Sequence, residues 1–182
     1  GIRVASGSLG QGISVAIGAA LAKKLNGDNK HVFVLTGDGE LEEGQVWEAA
    51  MFAVHHKVDN LIMINDFNGQ QIDGPTDEVM ALGDLKEKWE AFGWEVLEMH
   101  GNNMEDVVDT LNKAKAMTGK GTPIAIVMQT QMGYGVDFMT GSHEWHGIAP
   151  DEEQKDKALA QLEETLGDFE YVEDYDSPLP KH

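Results

Sequence analysis

The chain has 182 residues, of which 41% are hydrophobic and 25% charged, with no cysteine and a formal net charge of −19. That balance describes a folded domain with its own core, and the missing cysteines exclude a disulfide framework, a thiolate metal site and a cysteine nucleophile. So acidic a surface repels nucleic acid and anionic membranes, leaving neither as a partner; no apolar run approaches the roughly 18 residues of a membrane span. The start shows no basic region followed by an apolar stretch, so a cytoplasmic location is the expectation. Gly1-Ile2-Arg3 lacks a Met and runs within six residues into a glycine-rich turn, which leads us to expect an N-terminal truncation.

That turn, Gly7-Ser8-Leu9-Gly10-Gln11-Gly12, leads into Ile13 to Leu25, which reads as a mostly buried helix stopped near Asn26-Gly27. His31-Val32-Phe33-Val34-Leu35-Thr36 is short and continuously apolar, predicting a strand buried on both faces that ends at Gly37-Asp38-Gly39. Gln45 to His55 has helical spacing, with Glu42, Glu43 and Glu48 around its first turn, where the helix dipole favours negative charge. Leu61-Ile62-Met63-Ile64 predicts a second buried strand, and Asn65 to Gly83 a polar, turn-rich loop. A short helix is expected at Leu85 to Phe92, a strand at Trp94 to Met99, an amphipathic helix at Met104 to Met117 and an apolar strand at Pro123 to Met128. Strands alternating with helices predict an α/β fold, a parallel sheet with helices on both faces. Residues 129–150 form a long loop of the kind that is functional or mobile in compact domains. A charged amphipathic helix is expected over Asp151 to Leu166. The organisation expected is one domain over residues 1–166 and an acidic tail or linker over 167–182.

In open parallel sheets, ligands bind where loops converge at the C-terminal ends of strands. Asp38, flanked by glycines at one strand end, can face a metal while the backbone closes around a phosphate. Asn68 follows in Asn65-Asp66-Phe67-Asn68-Gly69, at the end of the next strand. One carboxylate, one amide oxygen and one or two backbone carbonyls suit a hard cation such as Mg²⁺ or Ca²⁺ better than zinc. The turn at Gly7 to Gly12 opens a helix whose free N–H groups favour an anion. Taken singly, Gly-Asp-Gly is also a common turn, and two glycines before a helix can be no more than a bend. Together, an acid and an amide separated by one helix are expected to meet in space.

Gly37-Asp38-Gly39 followed about thirty residues later by Asn68 resembles the cofactor motif of thiamine diphosphate enzymes. Gly7-Ser8-Leu9-Gly10-Gln11-Gly12, Gly37 to Gly44, Asn68 to Gly74, Trp89 to Trp94, Thr130 to Gly135 and His146-Gly147-Ile148-Ala149-Pro150 all resemble transketolase, in order and over about residues 5–166. Gly135-Val136-Asp137-Phe138-Met139 looks most like the N-terminal subunit of split, two-chain transketolases. The resemblance implies the thiamine diphosphate-binding fold, with Asp38, the Asn68 side chain and the Gln70 carbonyl as metal ligands for Mg²⁺ or Ca²⁺. Gly39 and Asn68 would contact the diphosphate, Gly7, Ser8 and Leu9 would lie along the cofactor, and Ile72 would sit under its thiazolium ring. His146 matches a histidine near the diphosphate and the reacting sugar, and Glu43 a glutamate buried in a carboxylate network at the dimer interface.

A diphosphate is too densely charged to bury without a cation and backbone donors. A histidine can hydrogen-bond an oxyanion or carry a proton near neutral pH; a surface-loop role is the alternative for His146 and for His143. The resemblance further implies that the glutamate activating the aminopyrimidine lies on a separate pyrimidine-binding domain or C-terminal subunit. The partners expected are therefore that chain, in a dimer or heterotetramer, and sugar phosphates. Arg3 is the chain's only arginine, so the substrate phosphate is expected to be bound mainly by the partner. The function implied is transfer of a two-carbon ketol group from a ketose phosphate to an aldose phosphate, with this chain inactive alone. A dihydroxyacetone synthase-like enzyme and a non-catalytic cofactor-binding module are the alternatives.

Overall fold

The structure is a computed structural model that describes residues 2–162. These fall into two compact units that divide between Ala149 and Pro150. In the first, the elements run α1 (Gln11–Leu25), β1 (Val32–Gly37), a 3-10 turn (Gly39–Glu42), α2 (Gly44–His55), β2 (Leu61–Phe67), β3 (Gln70–Gln71), β4 (Gly74–Pro75), α3 (Thr76–Val79), α4 (Leu85–Ala91), β5 (Glu95–His100), α5 (Met104–Met117), β6 (Ile124–Gln129) and a second 3-10 turn (His143–His146). The second unit contains α6 (Glu152–Leu159), opened by a capping box between Asp151 and Gln154. Lys157 pairs with Glu153 one turn before it.

Four strands form one parallel sheet in the order β1-β2-β6-β5. The β1-to-β2 connection and the β5-to-β6 connection run in opposite directions across the sheet. Right-handed crossovers therefore put α2 on one face and α5 on the other. On the first face α1, α2 and α4 bury Ile13, Ile17, Val46, Ala50 and Trp89 against Met63, Ala125 and Val127. Trp89 is wholly buried, its ring 4.9 Å from that of Trp47 and 5.0 Å from that of Trp94. On the second face α5 places Ala114, with Val107 and Leu111, over Ile62, Leu97, Met99, Ile124 and Ile126. At about 25 cal/mol per Å² of apolar surface, burial of these alternating faces is the main term holding the layers together.

The architecture is the expected α/β sheet, with helices on both faces, and four details differ. Helix α1 is not mostly buried: it turns only Ile13, Ala16, Ile17 and Ala20 inward and leaves Val15 and Leu25 exposed, because it packs on the sheet by one side alone. β1 is not buried on both sides: Phe33 and Leu35 are 43% and 63% exposed. It lies at the sheet edge opposite β5, and α5, which follows β5, covers the far end of that face. The stretch from Asn65 to Gly83 is not all loop. β2 runs on to Phe67, a small antiparallel hairpin pairs Gln71 with Gly74, and α3 follows. Helix α6 ends at Leu159, short of the expected Leu166. The expected tail at 167–182 lies outside the described residues. Among the described residues no helix is long and apolar enough to cross a membrane.

The long segment after β6 is built rather than loose. Thr140 Oγ1 donates to the carbonyls of Gly133 and Val136 at 3.0 and 2.8 Å. Trp145 Nε1 donates to the carbonyl of Phe138 at 2.9 Å, and their rings meet edge to face at 5.4 Å. Side-chain bonds to backbone carbonyls do for this segment what a ladder does for a strand.

Candidate functional site

β1 and β2 end side by side, with Thr36 opposite Asn65 and Gly37 opposite Asp66. The turn after β1 carries Asp38, 2% exposed. Its Oδ1 accepts the N–H of Gly39 at 2.9 Å and its Oδ2 the N–H of Gly69 at 2.7 Å. One carboxylate thus ties the loop after β1 to the loop after β2. The two strand ends expected to meet do meet. Burial pushes the Asp38 carboxyl above the usual carboxylate range, opposed by the N–H groups of Gly39 and Gly69 and reinforced by the charge of Asp66. In the second loop Asn68 Oδ1 accepts the N–H of Gln70 at 2.9 Å, an Asx turn that stands the amide oxygen beside the backbone. Gly39 is pressed against the hairpin: a Cβ there would lie 2.9 Å from Cβ of Gln71.

The glycine-rich turn is held from the segment after β1. Gly10 has φ +80°, and a Cβ on it would lie 2.8 Å from Cγ of Gln45, so only glycine fits. The N–H of Gly10 donates to Glu40 Oε1 at 2.8 Å, and Gln45 Nε2 donates to the carbonyl of Leu9 at 2.9 Å. Glu40 Oε2 also accepts the N–H of Gly37 at 3.2 Å. The expectation of free N–H groups here is corrected in part. Gly10 gives its proton to Glu40, and Gln11 N–H points at the carbonyl of Ser8 at 3.4 Å. Gly7, Ser8 and Leu9 remain exposed.

Ile72 stands at the hairpin tip, 64% exposed. The 3-10 turn ending in His146 packs against this hairpin, and a Cβ on Gly147 would sit 3.9 Å from Cδ1 of Ile72. His146 is exposed and His143 half-buried. Glu43 occupies the position before α2, makes no capping bond with its side chain and is exposed on this chain.

Among the described residues no group of three or more His, Cys, Asp or Glu is placed to hold a metal. What converges instead is a single buried carboxylate and an amide oxygen, each already holding one or two N–H groups and retaining lone pairs. A hard cation fits such a set when an anionic ligand supplies further oxygens.

The family model described as "Transketolase, thiamine diphosphate binding domain" matches residues 1–175. The chain belongs to the transketolase family. Among curated relatives it is 43% identical over 164 residues to one of the subunits of the apulose-4-phosphate transketolase of Actinobacillus succinogenes, covering 90% of this chain and 58% of that protein. It is 42% identical over 163 residues to "6-deoxy-6-sulfo-D-fructose transketolase subunit SqwG" of Clostridium sp. (strain MSTE9), again covering 90% and 58%. Among solved structures, transketolase from Campylobacter jejuni matches with a TM-score of 0.79 at 35% identity, over 88% of this chain and 26% of that one. The chain spans less than two thirds of the length of these curated relatives. The sequence resemblance to transketolase, and within it to the N-terminal chain of split forms, is thus confirmed.

Glu40, Gln45 and Gln71 were not singled out by sequence reasoning for this transketolase domain. Glu40 and Gln45 bond across separations of 30 and 36 residues, which no local pattern discloses. Gln71 could be suspected from its place between Gln70 and Ile72, but its contact with Gly39 depends on the hairpin.

Proposed function

We propose that this chain is the diphosphate- and metal-binding part of a transketolase, moving a two-carbon ketol group from a ketose phosphate to an aldose phosphate. The observation that carries the reading is the convergence of Asp38, Gly39 and the Asn68–Gln70 loop, two strand ends joined through the Asp38 carboxylate. Asp38, Asn68 Oδ1 and the Gln70 carbonyl would hold Mg²⁺ or Ca²⁺, and Gly39 and Asn68 would face the diphosphate. Gly7, Ser8 and Leu9 would line the cofactor, and Ile72 would present its apolar side chain to it. Thiamine diphosphate, when bound, supplies a carbanion and an electron sink.

The protein's own task is to fix the anion, exclude water and supply polar groups. In this reading His146 hydrogen-bonds an oxyanion or carries a proton beside the diphosphate. Glu43, exposed here, becomes buried against a second chain in a carboxylate network. The partner is a pyrimidine-binding domain or C-terminal transketolase subunit, in a dimer or heterotetramer. Relatives whose names make them one subunit of a transketolase support it. The scarcity of cationic side chains around the site supports a partner that binds the sugar phosphate. A cytoplasmic location and a place in the pentose phosphate pathway belong to the same reading.

The test is a calorimetric titration of thiamine diphosphate with Mg²⁺ into the chain with and without a pyrimidine-domain partner, beside Asp38→Ala. Binding that needs partner and metal and disappears in the variant is the expected result. Equal binding by the chain alone contradicts the shared site, and no binding in any arm contradicts the cofactor reading.

A further inference from the structure

One peptide unit of the glycine-rich turn is gripped at both of its polar ends. The Leu9 carbonyl and the Gly10 N–H belong to the same Leu9–Gly10 peptide. The carbonyl accepts from Gln45 Nε2 at 2.9 Å and the N–H donates to Glu40 Oε1 at 2.8 Å. Glu40 lies in the 3-10 turn after β1 and Gln45 in the first turn of α2, and the other Glu40 oxygen takes the N–H of Gly37 beside Asp38. A peptide held by an acceptor on one side and a donor on the other cannot rotate without losing both bonds. The charge of the carboxylate makes its two bonds the stronger pair. Gly10, in the left-handed region with Gln45 and Glu43 against it, is also the residue from which α1 starts. Its own position offers that helix no side-chain cap, and Glu40 takes the N–H of this N-cap residue itself.

The geometry points to Glu40 and Gln45 as positioning residues that orient the exposed Gly7–Leu9 segment toward the cofactor. This rests on the cofactor reading above. Neither side chain need touch the cofactor. They lock the peptide that carries Leu9, and Glu40 couples its placement to the turn that carries Asp38. Two loops about 30 residues apart in sequence thereby become one rigid wall, organised before the ligand arrives. Such pre-ordering improves affinity by removing the cost of ordering the wall on binding.

The test uses the full chain assembled with its partner and measures the dissociation constant of thiamine diphosphate with Mg²⁺ by calorimetry, alongside the cofactor-free melting temperature. Glu40→Ala and Gln45→Met are each expected to weaken binding about tenfold, the scale of one charge-assisted hydrogen bond and the upper end for a neutral one. Glu40→Gln keeps one acceptor for Gly10 and is expected to recover part of the loss. The double variant Glu40→Ala/Gln45→Met is expected to fall well short of a loss of about a hundredfold, because both residues hold one peptide. The proposal is overturned if the single variants bind as wild type does. It is equally overturned if their cofactor-free melting temperatures fall in step with affinity, which assigns the bonds to stability alone. If wild type itself binds no cofactor, the cofactor reading fails and the positioning role with it; wild-type binding beside unaffected variants removes only the latter.

Discussion

In the proposed reading, Asp38 carries two demands that conflict in the cofactor-free protein and would agree once a cation is bound. Its carboxylate is buried and beside Asp66, which raises its pKa, while the N–H groups of Gly39 and Gly69 only partly offset this. A carboxyl whose folded pKa is raised binds its proton more tightly in the native state. Its contribution to stability is therefore present at acid pH and is lost as pH rises above its ordinary value of 3.8. A divalent cation reverses the sign by favouring the ionised form. Thermal melting of the assembled protein should accordingly show Mg²⁺ with thiamine diphosphate raising the midpoint more at about pH 7 than at about pH 4.5, with the difference lost in Asp38→Asn. At this scale the sequence was legible where chemistry and spacing coincide. The meeting of the Asp38 and Asn68 loops could be read because an acid and an amide at the ends of two strands separated by one helix are expected to be neighbours. Glu40 could not, because a glutamate before a helix has a sufficient local explanation and its bond to Gly10 exists only once α1 lies beside β1.

The elements were legible for a different reason. Helix α5 and strand β6 show clean 3.6-residue and continuous apolar patterns, and their observed bounds lie within a residue of those expected. The burial expected of β1 was wrong because an apolar run reports composition and not strand order. Val32 and Val34 pack against α1 while Phe33 and Leu35 point from the opposite face, beyond the reach of α5. The β3–β4 hairpin was missed because two-residue strands have no periodicity to detect. The β1 result makes a contrast that denaturant unfolding of this chain can check. Leu35→Lys should cost less than about 0.5 kcal/mol, as exposed substitutions do. Ile126→Ala, at a wholly buried position in the middle of the sheet, should cost about 2–5 kcal/mol.

At the scale of the molecule the dominant quantity is charge. A net −19 spread over 182 residues repels itself in the compact state more than in the expanded one. Screening should relieve this, with a Debye length of roughly 30 Å at 0.01 M salt and about 10 Å at 0.1 M. Differential scanning calorimetry between about 10 and 300 mM NaCl should show the melting temperature rising by a few degrees, and an unchanged midpoint would mean the charges are already paired or dispersed. The same repulsion has a second effect, because among the described residues β1 is an edge strand of the sheet, and Phe33 and Leu35 bare apolar surface on one of its faces. A strand edge of that kind is a template on which another molecule can lay a strand of its own. Salt therefore acts on this protein in two opposed ways. It firms each molecule while removing the long-range barrier that keeps two such edges from meeting, so colloidal stability and thermal stability peak at different ionic strengths.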